Sequence, residues 1–267
     1  MAELTKHSPP EAPQEAGSRW VTMSNALTRA GHGLTLSEKR LMAIAISKLD
    51  SRTPVRAGAN LSTRVSAAEY SEAYDVDINT AYEQLKDAGK HLYNRSITFY
   101  EPAFSRAGKP IKPTLINMRW VGQAEYQEGQ GWIELHWWHA VLRHLVGLSK
   151  QFTSYQLQQS LAFRSIHSYK LLELLQRFKA TGWAEYTIED FATSMDATEK
   201  QKADFAKIRT KIIEPAVKEL VEKDGWLIQW LPVKAGRKVK GVRFTFMRNP
   251  QQRLDLDGTA PEGRTAS

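Results

Sequence analysis

A long internal repeat limits the folds open to this chain. "VSAAEYSEAYDVDINTAYEQLKDAGKHLYNRSITFYE" (65–101) and "YTIEDFATSMDATEKQKADFAKIRTKIIEPAVKELVEKDGWLIQWLP" (186–232) spell one order: capped short helix, turn, longer helix, strand. Ser66 and Glu69 have capping-box spacing, as do Thr187 and Asp190, and Tyr70 corresponds to Phe191, all at an offset of 121. Further on, Ala88 and Leu92 correspond to Ala216 and Leu220 at an offset of 128, which implies seven residues inserted in the second turn. An amphipathic helix precedes each copy. In the first, "TLSEKRLMAIAISKL", Thr35 and Glu38 form a capping box ahead of an apolar stripe of Leu41, Met42, Ala45, Ile46 and Leu49; the second is "YKLLELLQRFK". Two similar units in tandem describe such a chain better than one large domain.

Each copy also ends in strand-like alternation. In the first, strands are expected in "RSITFYE", "TLINMRWVGQAEY" and "GWIELHWW", with a turn at "QEGQG". In the second, "GWLIQWL" and "GVRFTFM" flank a basic loop, with Trp226, Ile228 and Trp230 on one face and Val242, Phe244 and Phe246 facing them. A helix-turn-helix followed by a β-hairpin is the winged-helix arrangement, so the fold class expected is α+β, two tandem winged-helix domains. The domains are drawn at 18–146 and 147–248, between tails at 1–17 and 249–267 that lack apolar periodicity and read as disordered.

Charge is unevenly placed. The net charge is +8, and residues 200–248 alone hold 13 Lys and Arg against 5 Asp and Glu. A confined basic zone on a globular chain is the footprint expected for nucleic acid, with an anionic membrane surface as competitor and a solvated face as the bland reading. Cysteine is absent from all 267 residues, which excludes a disulfide framework, a cysteine nucleophile and cysteine-based zinc or iron–sulfur sites. No apolar stretch approaches a membrane span or a signal-peptide core, so a cytoplasmic protein without membrane association is expected.

The longer helix of the second unit divides cleanly. Phe205, Ile208, Ile212, Ala216 and Leu220 fall on one side of a 100° wheel, and Lys207, Thr210, Lys211, Glu214 and Lys218 on the other. Lys207 and Lys211 offer ammonium groups to phosphates, and Thr210 a hydroxyl to a base edge or phosphate. Arg209 projects nearer the apolar side, where its stem could lie on the core. Pro215 removes one helical hydrogen bond and should kink the axis, placing base contacts before it. Beyond this helix, Lys234, Arg237, Lys238, Lys240 and Arg243 form a basic hairpin suited to following a phosphate backbone. In the first unit Ile78, Ala81, Leu85, Ala88 and Leu92 should be buried. The opposite face offers Asn79, Thr80, Glu83, Gln84 and Lys90: hydrogen bonds but little net charge.

Four stretches in this order resemble the plasmid replication initiators of the Rep_3 family: "SNALTRAGHGLTLSEKRLMAIAISKL", "SAAEYSEAYDVDINTAYEQLKDAGKHLYNRSITF", "LSKQFTSYQLQQSLAFRSIHSYKLLELLQRF" and "DFAKIRTKIIEPAVKEL". The likeness runs from Trp20 to Met247. It implies two winged-helix domains, a monomer that binds directly repeated origin sites (iterons) in double-stranded DNA, and a homodimer through the first domain that represses its own gene. It also implies recruitment of the host initiator DnaA, the replicative helicase and chaperones. The family's basic run falls on Arg209, Thr210 and Lys211; where the family often has consecutive arginines, this chain has Arg-Thr-Lys.

Two other readings stand beside it. A plain winged-helix repressor would share every feature above. A rolling-circle nicking enzyme would use Tyr82 and Lys86, whose Tyr-x-x-x-Lys spacing suits a nickase, but it also needs a metal site, and His136, His139 and His144 have the wrong spacing for a strand-borne chelate. No phosphate-binding loop occurs. A binding protein without catalytic residues, metal or cofactor is therefore expected. Trp120, Trp132, Trp137 and Trp138 are either core or the face of a subunit interface.

Overall fold

The computed structural model describes residues 16–56 and 60–249, so the two expected tails lie outside it apart from Ala16, Gly17 and Asn249. Strand β1 (Trp20–Ser24) leads into α1 (Asn25–Thr28) and then α2 (Leu36–Ser47). The capping box forms as its spacing requires: Thr35 Oγ1 accepts from the Glu38 N–H at 3.3 Å, and Glu38 Oε2 accepts from the Thr35 N–H at 2.8 Å. The stripe behind it, Leu41, Met42, Ala45 and Ile46, is buried.

The first winged helix continues with β2 (Ser62–Ser66), α3 (Ala67–Tyr74), α4 (Ile78–Leu92), β3 (Ser96–Phe104), β4 (Pro110–Arg119), β5 (Val121–Tyr126) and β6 (Trp132–Trp137). Its sheet has the order β2-β6-β5, and β3 and β4 pair separately as a two-stranded ribbon. This corrects the strand reading. "TLINMRWVGQAEY" is two strands broken at the wholly buried Trp120, the wing is β5 with β6, and the ribbon is an insertion between α4 and the wing. Ile78, expected in the core, is exposed in the first turn of α4, while Ala81, Leu85, Ala88 and Leu92 are buried.

A short α5 (His139–Leu142) leads to β7 (Phe152–Gln156), α6 (Gln158–Leu161) and α7 (Ile166–Gln176). Strands β1 and β7 pair antiparallel from Trp20↔Gln156 to Ser24↔Phe152, across the expected boundary at 146/147. In α7 every residue from Ser168 to Gln176 is buried. That follows from its place, since it packs on β7 and α1 on one side and on the last helix of the second unit on another.

The second winged helix comprises β8 (Trp183–Thr187), α8 (Ile188–Ser194), α9 (Glu199–Lys202), α10 (Phe205–Ile208), a π-helical turn over Arg209–Ile213, α11 (Glu214–Asp224), β9 (Trp226–Ala235) and β10 (Lys238–Arg248). Its sheet order, β8-β10-β9, repeats that of the first unit. Leading strands β2 and β8 are only five residues each and lack a long alternating run, which is why the sequence reading passed over them.

The structure also divides the seven-residue insertion. Asp77 caps α4 and Asp204 caps α10, an offset of 127, so six added residues lie in the turn and build α9. The seventh lies inside the helix, in the π turn.

Candidate nucleic-acid interface

The helix of the second unit starts at Asp204, whose carboxylate accepts from the Ala206 N–H at 2.9 Å. Pro215 has no N–H, and its ring would crowd the carbonyl four residues earlier. The widened turn before it, closed by the Glu214 N–H on the Arg209 carbonyl, accommodates both defects. Ile208, Ile212, Ile213, Ala216 and Leu220 are buried. Lys207, Arg209, Thr210 and Lys211 are all exposed. Arg209 thus stands on the outer surface, not on the core border that a regular wheel suggests, with its Nε 3.4 Å from Glu214 Oε1. Thr210 Oγ1 donates to the Ala206 carbonyl at 2.9 Å, so its hydroxyl proton is used within the helix and its oxygen remains an acceptor. Lys207 sits 4.0 Å from Asp204. Lys211 has no ion-pair partner among the described residues.

Strands β9 and β10 form the predicted hairpin. Ala235 pairs with Lys238 across a two-residue turn whose first residue, Gly236, has φ +61°, a conformation favouring glycine. Trp226, Val242, Phe244 and Phe246 are buried beneath it, which leaves Lys234, Arg237, Lys238 and Lys240 exposed at its end. Lys240 is the extra residue of a β-bulge between Val239 and Gly241. Arg243 is differently placed. It lies opposite Glu185 of β8, which accepts from its Nε at 2.7 Å, so part of its charge is already compensated at some remove from the tip.

In the first unit, Asp77 caps α4 by accepting from the Asn79 and Thr80 N–H groups. Asn79, Thr80, Glu83 and Lys90 are exposed. Gln84 is half-buried, and its Oε1 accepts from the Tyr70 hydroxyl at 2.6 Å, a bond that joins α3 to α4. The structure therefore groups four of these five side chains on an open face and draws Gln84 inward. Cations that the sequence reading missed lie at the ribbon's end: Arg106, Lys109 and Lys112 are exposed around the turn at Gly108, φ +72°. Their signal was "SRAGKPIK", a turn-forming segment with three positive charges.

The nickase pair is built into the fold. The Tyr82 ring covers Gly131 so closely that a Cβ there would lie 2.5 Å from its hydroxyl oxygen, and Lys86 Nζ bonds Glu128 at 2.6 Å. His136 bonds Glu125 and His144 bonds Ser24, and among the described residues no three His, Asp or Glu side chains are grouped to hold a metal ion. The tryptophans divide: Trp120 and Trp137 are core, Trp132 is half-buried under the Arg64 guanidinium 3.9 Å from its ring centre, and Trp138 is exposed. Among the described residues no helix is long and apolar enough to cross a membrane.

Two winged helices of identical sheet order, the second with an exposed cationic helix and hairpin, define a tandem winged-helix protein with a basic outer surface on its second unit. The chain belongs to the initiator replication protein family: residues 20–176 match the family's first winged-helix domain ("Initiator Replication protein, WH1") and residues 187–246 its second ("Initiator Rep protein, WH2"). It is 26% identical over 221 residues to an uncharacterized 27.6 kDa protein of Escherichia coli, covering 79% of this chain and 88% of that one. It is 23% identical over 251 residues to the PI protein of Escherichia coli, covering 84% and 81%. Its fold is that of the Pi initiator protein solved in complex with iteron DNA, with a TM-score of 0.71 at 18% identity over 88% of this chain and 99% of that one.

Proposed function

We propose that this chain is a plasmid replication initiator that binds repeated origin sites in double-stranded DNA, each winged helix reading one part of a repeat. The observation that carries this reading is that one winged helix presents both an exposed cationic helix and an exposed cationic hairpin tip, so that Arg209, Thr210 and Lys211 can address base edges while Lys207, Lys234, Arg237, Lys238 and Lys240 hold phosphates. Lys90, Asn79, Thr80 and Glu83 of α4 serve the first unit, which adds hydrogen bonds more than charge. The fold shared with a protein solved on iteron DNA supports the same reading.

A homodimer through the first unit, acting as autorepressor, is the second part of the proposal. Its support is the β3–β4 ribbon, where Tyr100 lies opposite Leu115 and both are exposed, with Phe104 further along. A solvated apolar ribbon with an open edge is a pairing surface. Opening of the origin would follow from assembly and bending of DNA, with host DnaA, helicase and chaperones as the partners such a role requires. No catalytic residue, metal or cofactor enters the mechanism, and the site of action is the bacterial cytoplasm.

A footprint on DNA of the encoding replicon tests this. Several protected sites in one orientation beside an AT-rich stretch are expected. A lone inverted repeat would make the chain a plain repressor, and no protection would end the reading. Supercoiled origin DNA incubated with protein and divalent metal should stay uncut, and a covalent adduct at Tyr82 would establish the nicking alternative instead.

A further inference from the structure

The two units meet in a polar knot that neither helix-turn-helix requires for itself. Asp196 follows α8 in the left-handed region, φ 52°, at the position Asp75 holds in the first unit with φ 47°. Whereas Asp75 is exposed, the carboxylate of Asp196 reaches across to the other unit. Its Oδ1 accepts from the His32 N–H at 2.9 Å, and its Oδ2 from the Gly33 N–H at 3.2 Å. Lys170 of α7, 1% exposed, places its ammonium 2.9 Å from the same Oδ2. That ammonium also donates to the Ser194 carbonyl at 2.8 Å and the Ala30 carbonyl at 3.3 Å, while Ser194 Oγ donates to the Arg29 carbonyl at 2.9 Å. The approach is close enough that a Cβ on Gly31 would lie 3.1 Å from Asp196 Oδ1.

Residues 29–33 of the first unit, the central helix α7 and the corner of the second helix-turn-helix are thus tied by one carboxylate, one ammonium and one hydroxyl. Apolar contact between units is non-directional and tolerates sliding. Charge-assisted hydrogen bonds of fixed geometry do not. The corner at Asp196 leads through α9 to the cationic helix, whose continuation α11 packs on the same α7 that carries Lys170.

We propose that Asp196, held by Lys170, is a positioning residue that fixes the angle and separation between the DNA-reading helices of the two units, and hence the spacing between the two halves of a repeat that one chain can read. This rests on the reading of the chain as a binder of repeated duplex sites. Each base pair inserted between the halves advances the second by about 3.4 Å and turns it by about 34–36°. A rigid pair of helices cannot follow that change.

The test uses the full chain and a short duplex carrying one footprinted repeat, with one or two base pairs inserted or removed between its two protected parts. For the wild type, each change should cost about tenfold or more in affinity. Asp196→Asn keeps the shape and loses the charge. It should bind the natural repeat with an unchanged slope of log affinity against log salt, yet lose no more than about threefold on insertion, since the lost term is alignment and not a phosphate contact. Lys170→Met should act in the same direction, and circular dichroism and thermal melting check the fold of both. A folded variant that discriminates spacing as the wild type does overturns the proposal. So does the unfolding of both variants, which would make the knot a stability device. A wild type indifferent to spacing would also overturn it while leaving the functional reading intact; a wild type that binds no repeat would end that reading instead.

Discussion

Ile208 and Ile213 are both wholly buried in one core although they stand five residues apart on a single helical run. In a regular α-helix their directions would differ by about 140°. The π turn over Arg209–Ile213 absorbs one residue and returns them to one face. Ile213→Ala should therefore cost about 2–5 kcal/mol of unfolding free energy, as for a core isoleucine, measured by urea denaturation. A loss below about 0.5 kcal/mol, typical of a surface change, would place Ile213 outside the core.

Phosphate contacts should show in salt dependence. Lys207→Ala and Lys211→Ala are each expected to reduce the slope of log affinity against log salt by about one unit, and Lys238→Ala to do the same at the hairpin tip. Arg243→Ala should reduce it less, because Glu185 already compensates its charge. Unchanged slopes for both helix lysines would remove that helix from the interface. An effect at Arg243 equal to that at Lys238 would mean that the ion pair opens on DNA.

Gly241 is required by close approach. A Cβ there would lie 2.6 Å from the Tyr186 carbonyl oxygen of β8, which is backbone and cannot swing aside. Gly241→Ala should destabilise by about 1–3 kcal/mol through displacement of β10 from β8. Gly33→Ala, where nothing lies within 4 Å, faces only its positive φ of 59° and should cost about 1–2 kcal/mol. Equal stability of wild type and Gly241→Ala in thermal melting would contradict this crowding.

Stability should fall in mild acid. His32 is buried against the Trp120 ring, its Nε2 bonded to the Leu27 carbonyl and its Nδ1 without a partner, so burial first and the charges of Lys170 and Lys39 next hold its pKa well below the ordinary value. His144 and His167 shift the same way, mainly through burial. Above pH about 6.5 both folded and unfolded chains are neutral at these sites and the full stability is present. Below it the unfolded chain takes up protons that the native chain refuses, and stability falls by up to about 1.4 kcal/mol per pH unit for each such histidine. The urea midpoint is expected to drop between pH 7 and pH 5, and less so in His32→Gln. A midpoint independent of pH over that range would show these rings to be protonated in the fold.

Much of the architecture was legible. Thr35 with Glu38, Ser66 with Glu69 and Thr187 with Asp190 all cap helices where their spacing says they should, because a cap is satisfied within one turn of its own chain. The wing of the second unit was legible for a similar reason, since Val242, Phe244 and Phe246 alternate on one side of a basic loop and Trp226, Ile228 and Trp230 on the other. The π turn was hidden, because a wheel with a fixed 100° step assigns Arg209 to the core border and Ile213 to a flank, and both assignments fail after one added residue. The ribbon of β3 and β4 was merged with the wing because nothing local distinguishes a strand that pairs with its neighbour from one that joins the sheet.

The duplicated winged helix, its capped helices and the cluster of positive charge on its second copy are written locally, since helical and strand periodicities and end caps are properties of a few consecutive residues. Packing in three dimensions is what joins β1 to β7, makes α7 serve both units, compensates Arg243 with Glu185 and brings Asp196 back to His32 and Gly33. The strand pairing, the ion pair and the carboxylate bonds join residues from 58 to 164 positions apart, and a contact at such distance follows from how packed elements exclude water together, which no local spacing records.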